Sequence, residues 1–180
     1  MALEVEDGTG KATAESYASI ATIAAYATAR GLTFAITGGT NATDAEAAAR
    51  RATTWLDATY QGRFPGRKAN GRAQALQWPR TDASDAEGEA IGSDEIPQEI
   101  INALCEAAIR EKAAPGALSP DVTPGKIKKR VKVEGAVEVE YAVGSAAVAG
   151  QRPVASVVDD ILGSLLGARQ SGYSGRAVRA

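Results

Sequence analysis

Apolar residues recur at helical spacing in four stretches of this chain, and apolar and charged residues alternate in a fifth. "SIATIAAYATARG" predicts a first helix, with Ser19 as its N-cap, Gly31 as its stop and Ile20, Ile23 and Ala27 on one face. Thr43 and Glu46 have capping-box spacing ahead of "DAEAAARRATTWLDATYQG". There Ala45, Ala48, Ala52, Trp55, Leu56 and Thr59 follow the helical period, so Trp55 and Leu56 are expected in the core. "PQEIINALCEAAIREKAAPG" is the clearest core helix, with Pro97 in its first turn and a stop at Pro115-Gly116. Its stripe is Ile100, Ile101, Leu104, Cys105, Ala108 and Ile109, with Glu99, Asn102, Glu106 and Arg110 opposite. After Pro153, Val154, Val157, Val158, Ile161, Leu162, Leu165 and Leu166 form a fourth helical stripe.

The alternating stretch is "KIKKRVKVEGAVEVEYAV", and its pattern predicts a hairpin of defined register. A three-residue turn at Glu134-Gly135-Ala136 sets Val133 against Val137 and Val131 against Val139. It also sets Lys132 against Glu138 and Arg130 against Glu140. A two-residue turn would pair valines with glutamates, which is worse on both faces, so the longer turn is preferred. Pro/Gly and small-residue linkers at 117–125 and 144–152 flank the hairpin, which is therefore expected to project.

The remaining segments have no clear period. Residues 1–15 read as irregular, and Trp78 precedes Pro79, which favours an extended conformation. "TDASDAEGEAIGSDEIP" reads as an irregular loop or loose hairpin, and "ARQSGYSGRAVRA" as a basic arm. The predicted fold is mainly α: a small helical core with a projecting β-hairpin and an extended C-terminal helix and arm. The expected divisions are 1–116 for the helical core with its basic and acidic loops, 117–150 for linker and hairpin, and 151–180 for C-terminal helix and arm.

Composition narrows the chemistry. The chain has 180 residues and no histidine, which removes the commonest general base and the commonest transition-metal ligand. Its one cysteine, Cys105, lies on an apolar stripe and reads as a buried thiol, suited to a reducing compartment. Alanine is abundant and Leu, Ile and Phe are few, so the core is expected to be thin and open to completion by oligomerisation. No apolar run reaches the ~20 residues of a membrane-spanning helix, and the first ten residues do not read as a signal peptide. "DASDAEGEA" lacks the ligand series of an EF-hand, and "GRFPGRKANG" lacks the closing Gly-Lys-Ser/Thr of a P-loop. Neither an enzyme nor a cofactor or metal site is expected.

Charge is more informative. The net charge is -2, yet residues 58–81 hold five basic groups and no acid. Residues 82–111 then carry nine Asp/Glu against one arginine. Opposed blocks of this kind suit contacts between identical subunits or docking on other proteins. The basic loop "YQGRFPGRKANGR" therefore offers Arg63, Arg67, Lys68 and Arg72 to an anionic surface, either DNA or acidic protein.

The segment "RRATTWLDATYQGRFPGRKANGRAQALQWPRTDASDAEG", followed by "IPQEIINALCEAAIREKAAPGALSPD" and the strand Val137 to Ala142, resembles tailed-bacteriophage head–tail connector (adaptor) proteins. Members of that family are also often labelled DnaT-like single-stranded-DNA-binding proteins. The resemblance implies a homo-oligomeric ring, carried twelve times beneath the portal protein, that continues the channel for packaged double-stranded DNA. The ring would dock the next neck or tail protein, a stopper or tail terminator. It implies a place in the virion neck, after assembly in the host bacterial cytoplasm, with no membrane and no cofactor. In this frame Arg63, Arg67, Lys68 and Arg72 line the channel or lock against an acidic partner. Leu162, Leu165, Leu166, Arg169, Arg176 and Arg179 are expected on the portal, and Lys128, Arg130, Lys132, Glu138 and Glu140 between subunits. A chain ending at Gly150 is expected to fold. The competing reading is a single-stranded-DNA-binding protein, which would interleave its basic groups with exposed aromatics. With two Trp, five Tyr and two Phe, the chain has few to offer.

Overall fold

The structure is a computed structural model that describes residues 2–120 and 155–166, together with the backbone pairing of 128–133 and 137–141. The architecture is a small α/β mixture rather than a purely helical core. Among the described residues there are four α-helices and three two-stranded antiparallel ribbons.

Helix α1 (Ile20–Ala29) starts as its sequence predicts, with the Thr22 amide donating to Ser19 Oγ at 3.1 Å. It ends in a Schellman turn: Leu32 N–H donates to Ala27 O and Gly31 N–H to Thr28 O, with Gly31 at φ +68°. Helix α2 (Asn41–Tyr60) begins ahead of the predicted capping box. Thr40 holds the cap position and its hydroxyl donates to Asp44 at 3.0 Å, so Thr43 lies inside the helix. Leu56 is fully buried, but Trp55 is only partly covered.

Helix α3 (Gln98–Ala113) follows Pro97 and is the centre of the fold, with α1, α2 and α4 (Ser156–Leu166) all packed on it. Because neighbours surround it, part of its polar side is covered. Glu106 and Glu111 are buried and satisfied. Glu106 accepts from Tyr26 Oη at 3.1 Å and pairs with Arg110, while Glu111 accepts from Arg51 Nε at 2.6 Å and Gly116 N at 2.7 Å. Cys105 is buried too, and burial pushes its thiol up to about 12, which leaves it inert.

The C-terminal helix corrects the expectation of a helix reaching for a neighbour. Val158, Leu162 and Leu165 are buried against the chain's own core, and Leu166 packs half-buried at its edge. Tyr60 Oη donates to Asp159 at 3.0 Å, and Arg63 pairs with the same carboxylate at 3.5 Å. The Ala86 amide donates to Ser164 O at 2.9 Å, which ties the acidic segment to this helix. The physical reason is that α3 has buried residues on more than one side, and α4 covers what α1 and α2 leave open. Leu162 and Leu165 are thus core residues of this chain. Arg169, Arg176 and Arg179 lie outside the described residues.

Three ribbons complete the fold. Strand β1 (Arg67–Lys68) pairs with β2 (Arg80–Thr81), closing the basic loop. Strand β3 (Ala83–Ser84) pairs with β4 (Ala90–Ile91), so the acidic segment is a loose hairpin. Strand β5 (Lys128–Val133) pairs with β6 (Val137–Tyr141) in the predicted register, valine against valine and Lys132 and Arg130 against Glu138 and Glu140. An irregularity between Lys128 and Arg130 sets Lys128 opposite Tyr141. The expected turn at 134–136 and the linkers on which projection depends lie outside the described residues.

Candidate functional site

The basic loop is held largely by two cations, Arg80 from β2 and Lys68. Arg80 is buried and donates from Nε to Pro65 O at 2.6 Å and from Nη2 to Gly66 O at 2.8 Å. Its Nη1 reaches Gln77 O and Gln77 Oε1, each at 3.3 Å. Lys68 Nζ donates to Gln74 O at 2.9 Å. A loop this rich in glycine leaves carbonyls without ladder partners, and buried carbonyls need donors. Arg80, from β2, supplies them at Pro65 and Gly66, and Lys68 supplies one just beyond the loop at Gln74. Gly66 sits at φ +65°, where a Cβ would meet Thr81 O at 2.2 Å, so the β1–β2 closure requires glycine there.

The aromatic residues around the loop face inward. Tyr60, Phe64 and Trp78 are all buried. Phe64 and Trp78 meet edge to face at 5.8 Å, and the Arg80 guanidinium lies 5.9 Å from the Phe64 ring. The Trp78–Pro79 peptide bond is cis.

Below the loop lies a polar node that the sequence pattern did not reveal. Asp57 is on the inner side of α2. One of its oxygens accepts from Tyr17 Oη at 2.7 Å and the other from Gln77 N at 3.0 Å. The same tyrosine oxygen accepts from Gln77 N at 2.9 Å and Trp78 N at 3.2 Å. Burial pushes the Asp57 carboxyl up to about 6 against these bonds and the nearby Lys68 and Arg80 charges, and it raises the Tyr17 hydroxyl well above its ordinary value. These bonds fix the 77–78 turn.

The N-terminal segment, expected to be irregular, is a second support. Glu6 is buried and its carboxylate accepts from the amides of Gly8, Gly10 and Lys11 at 3.1, 2.9 and 2.9 Å. Asn70 Nδ2 donates to Thr9 O and Gly10 O at 2.8 and 3.1 Å, and Ala75 N to Lys11 O at 3.0 Å. The signal available in the sequence was "EDGTG", an acid followed by two glycines, which can curl a run of amides around a carboxylate.

The predicted contact residues therefore separate. Lys68 is committed to a backbone carbonyl, and Arg63 to Asp159 across to α4. Arg67, which is 79% exposed, pairs with Asp82 at 2.9 Å. Arg72 is exposed in the short 3-10 turn Gly71–Ala73. What the loop displays outward is Arg67 and Arg72, on a frame held from beneath. A groove of 710 Å³ lies elsewhere, between the outer side of α2 and the turn before Pro120, lined by Arg51, Thr54, Trp55, Thr59 and Leu118. Among the described residues no group of carboxylates and thiol could hold a metal ion, and no helix is long and apolar enough to cross a membrane.

A small mixed α/β fold centred on one buried helix, with a pinned basic loop, is the class of protein these features define. The chain belongs to the family described as "Putative DnaT-like ssDNA binding protein", which matches residues 1–180. No curated protein and no solved structure matches it.

Proposed function

We propose that this chain is an assembly subunit of a tailed-phage virion, a head–tail connector that forms a ring, contacts portal and the next neck protein, and borders the channel for packaged double-stranded DNA. The ordered motifs shared with connector proteins support this reading. The observation that carries it is the state of the basic loop. Its aromatics are buried, Arg80 holds its carbonyls and Lys68 ties it to Gln74, so the loop is a preorganised ledge rather than a flexible strand of stacking groups. Rigid, charge-edged surfaces suit protein docking and sequence-independent phosphate contact.

The second reading is binding of single-stranded DNA, and the family description favours it. Such binding gains ~1–3 kcal/mol per base from aromatic stacking. Arg67 and Arg72 are the described cations of the loop that would meet phosphate.

Two measurements on the full-length protein discriminate these readings. Anisotropy titrations with labelled single-stranded and duplex oligonucleotides over a range of salt should give weak binding with no preference for the single strand. A particle reconstruction should place the chain between portal and tail. Tight, salt-resistant binding that favours the single strand would instead establish the second reading.

A further inference from the structure

Strands β5 and β6 form a ribbon of two strands among the described residues, and so it has two edges. Those edges differ in sign. Strand β5 carries Lys128, Lys129, Arg130 and Lys132, and β6 carries Glu138 and Glu140. The register sets Arg130 against Glu140 and Lys132 against Glu138, and by alternation these four share one face of the ribbon. Val131, Val133, Val137 and Val139 share the other. A two-stranded ribbon with a valine face is marginal alone in water and gains from further strands.

We propose that the ribbon joins copies of this chain head to tail, the acidic β6 edge of one copy adding to the basic β5 edge of the next. Charge selects this pairing over the others. Joining β5 to β5 sets lysine and arginine against each other, and joining β6 to β6 sets glutamate against glutamate, both unfavourable across a sheet. Joining β6 to the next β5 repeats the opposition already present within each hairpin. It holds in the same register, which sets Glu140 against Arg130 and Glu138 against Lys132 of the next copy. That register keeps the valines on one face. Basic residues on an edge ordinarily guard it against stray strands, and here they admit only an acidic one. A head-to-tail contact leaves a free edge at each end, so it propagates until a ring closes or a filament grows. It thus yields assemblies larger than a dimer.

This inference deepens the homo-oligomer of the proposed function by naming its interface. It needs neither portal nor DNA, so its test uses the purified full-length chain alone and its failure is separate from a failure to find the chain in the neck. Sedimentation velocity and native mass spectrometry at low salt should show species of more than two copies that dissociate as salt rises. The fourfold exchange R130E/K132E/E138K/E140K keeps opposite charges within each hairpin and reverses the sign at the four paired positions of the two edges. It should assemble with itself yet stay out of wild-type assemblies when the two are mixed. A second variant replaces 128–141 with a Gly/Ser linker and leaves the described core cluster intact; it should be monomeric with an unchanged melting temperature. A wild-type chain that stays monomeric or stops at a dimer, free mixing with the exchanged variant, or continued assembly of the linker variant would each overturn the proposal.

Discussion

Asp57 and Tyr17 are joined by a 2.7 Å hydrogen bond across forty positions of the chain, and the amide of Gln77 donates to both side chains. The pair couples the N-terminal segment, α2 and the turn that closes the basic loop. It also stores a pH dependence. The folded chain holds the Asp57 proton up to about 6, against 3.8 for an unperturbed carboxyl. The stability this group contributes is full below the unfolded value and is lost as pH rises through about 6. Asp57→Asn cannot titrate. The stability difference between wild type and variant should shift against wild type by up to ~3 kcal/mol between pH 4 and pH 7, as read by denaturant melts at each pH. A difference that does not change over that window would mean that Asp57 is not held in a protonation-favouring site.

Arg80 and Arg67 look alike in the sequence and are used differently. Arg80→Ala strands the carbonyls of Pro65 and Gly66 and should lower unfolding free energy by ~2–3 kcal/mol. Arg67→Ala removes an exposed ion pair, and its effect should stay within ~0.5 kcal/mol. Urea titration of both variants checks this. Equal losses would contradict the separation of frame from surface.

Gly8 is a close-approach glycine. It sits at φ +96°, and a Cβ there would lie 2.0 Å from the backbone oxygen of Asp94. Gly88 has a similar φ, +94°, but open space around it. Gly88→Ala should therefore cost ~1 kcal/mol from backbone conformation alone. Gly8→Ala must also displace the 92–95 turn and should cost clearly more, measurable as a larger fall in denaturation midpoint.

Leu162 belongs to the core, so Leu162→Ala should destabilise by ~2–5 kcal/mol. For the same reason a chain ending at Gly150 exposes one side of α3 and should melt early or aggregate. This reverses the expectation from sequence that such a truncation folds. A truncated chain with wild-type melting behaviour would show that α4 is dispensable to the core.

Local rules were legible in the sequence wherever one element contained its own determinants. Ser19 and Gly31 bound α1 because cap and stop act within one turn. The β5–β6 register followed from matching Val131 and Val133 to Val139 and Val137, since a one-residue slip would reverse both faces. What the tertiary structure decided depends on which surfaces meet. Glu106 sits on the polar side of its helix, but α1 covers that side, and burial is acceptable because Tyr26 and Arg110 satisfy the carboxylate. Trp55 keeps the period of a core residue, yet it lines a groove between α2 and the turn before Pro120. The basic loop shows the limit most clearly. Composition showed that residues 60–72 hold four cations and no acid, but a cation near an unpaired buried carbonyl is worth more inside than outside. Which of them lay near one was a matter of distances that only the folded chain sets. Lys68 went inward, joined by Arg80 from β2, while Arg67 and Arg72 remained on the surface.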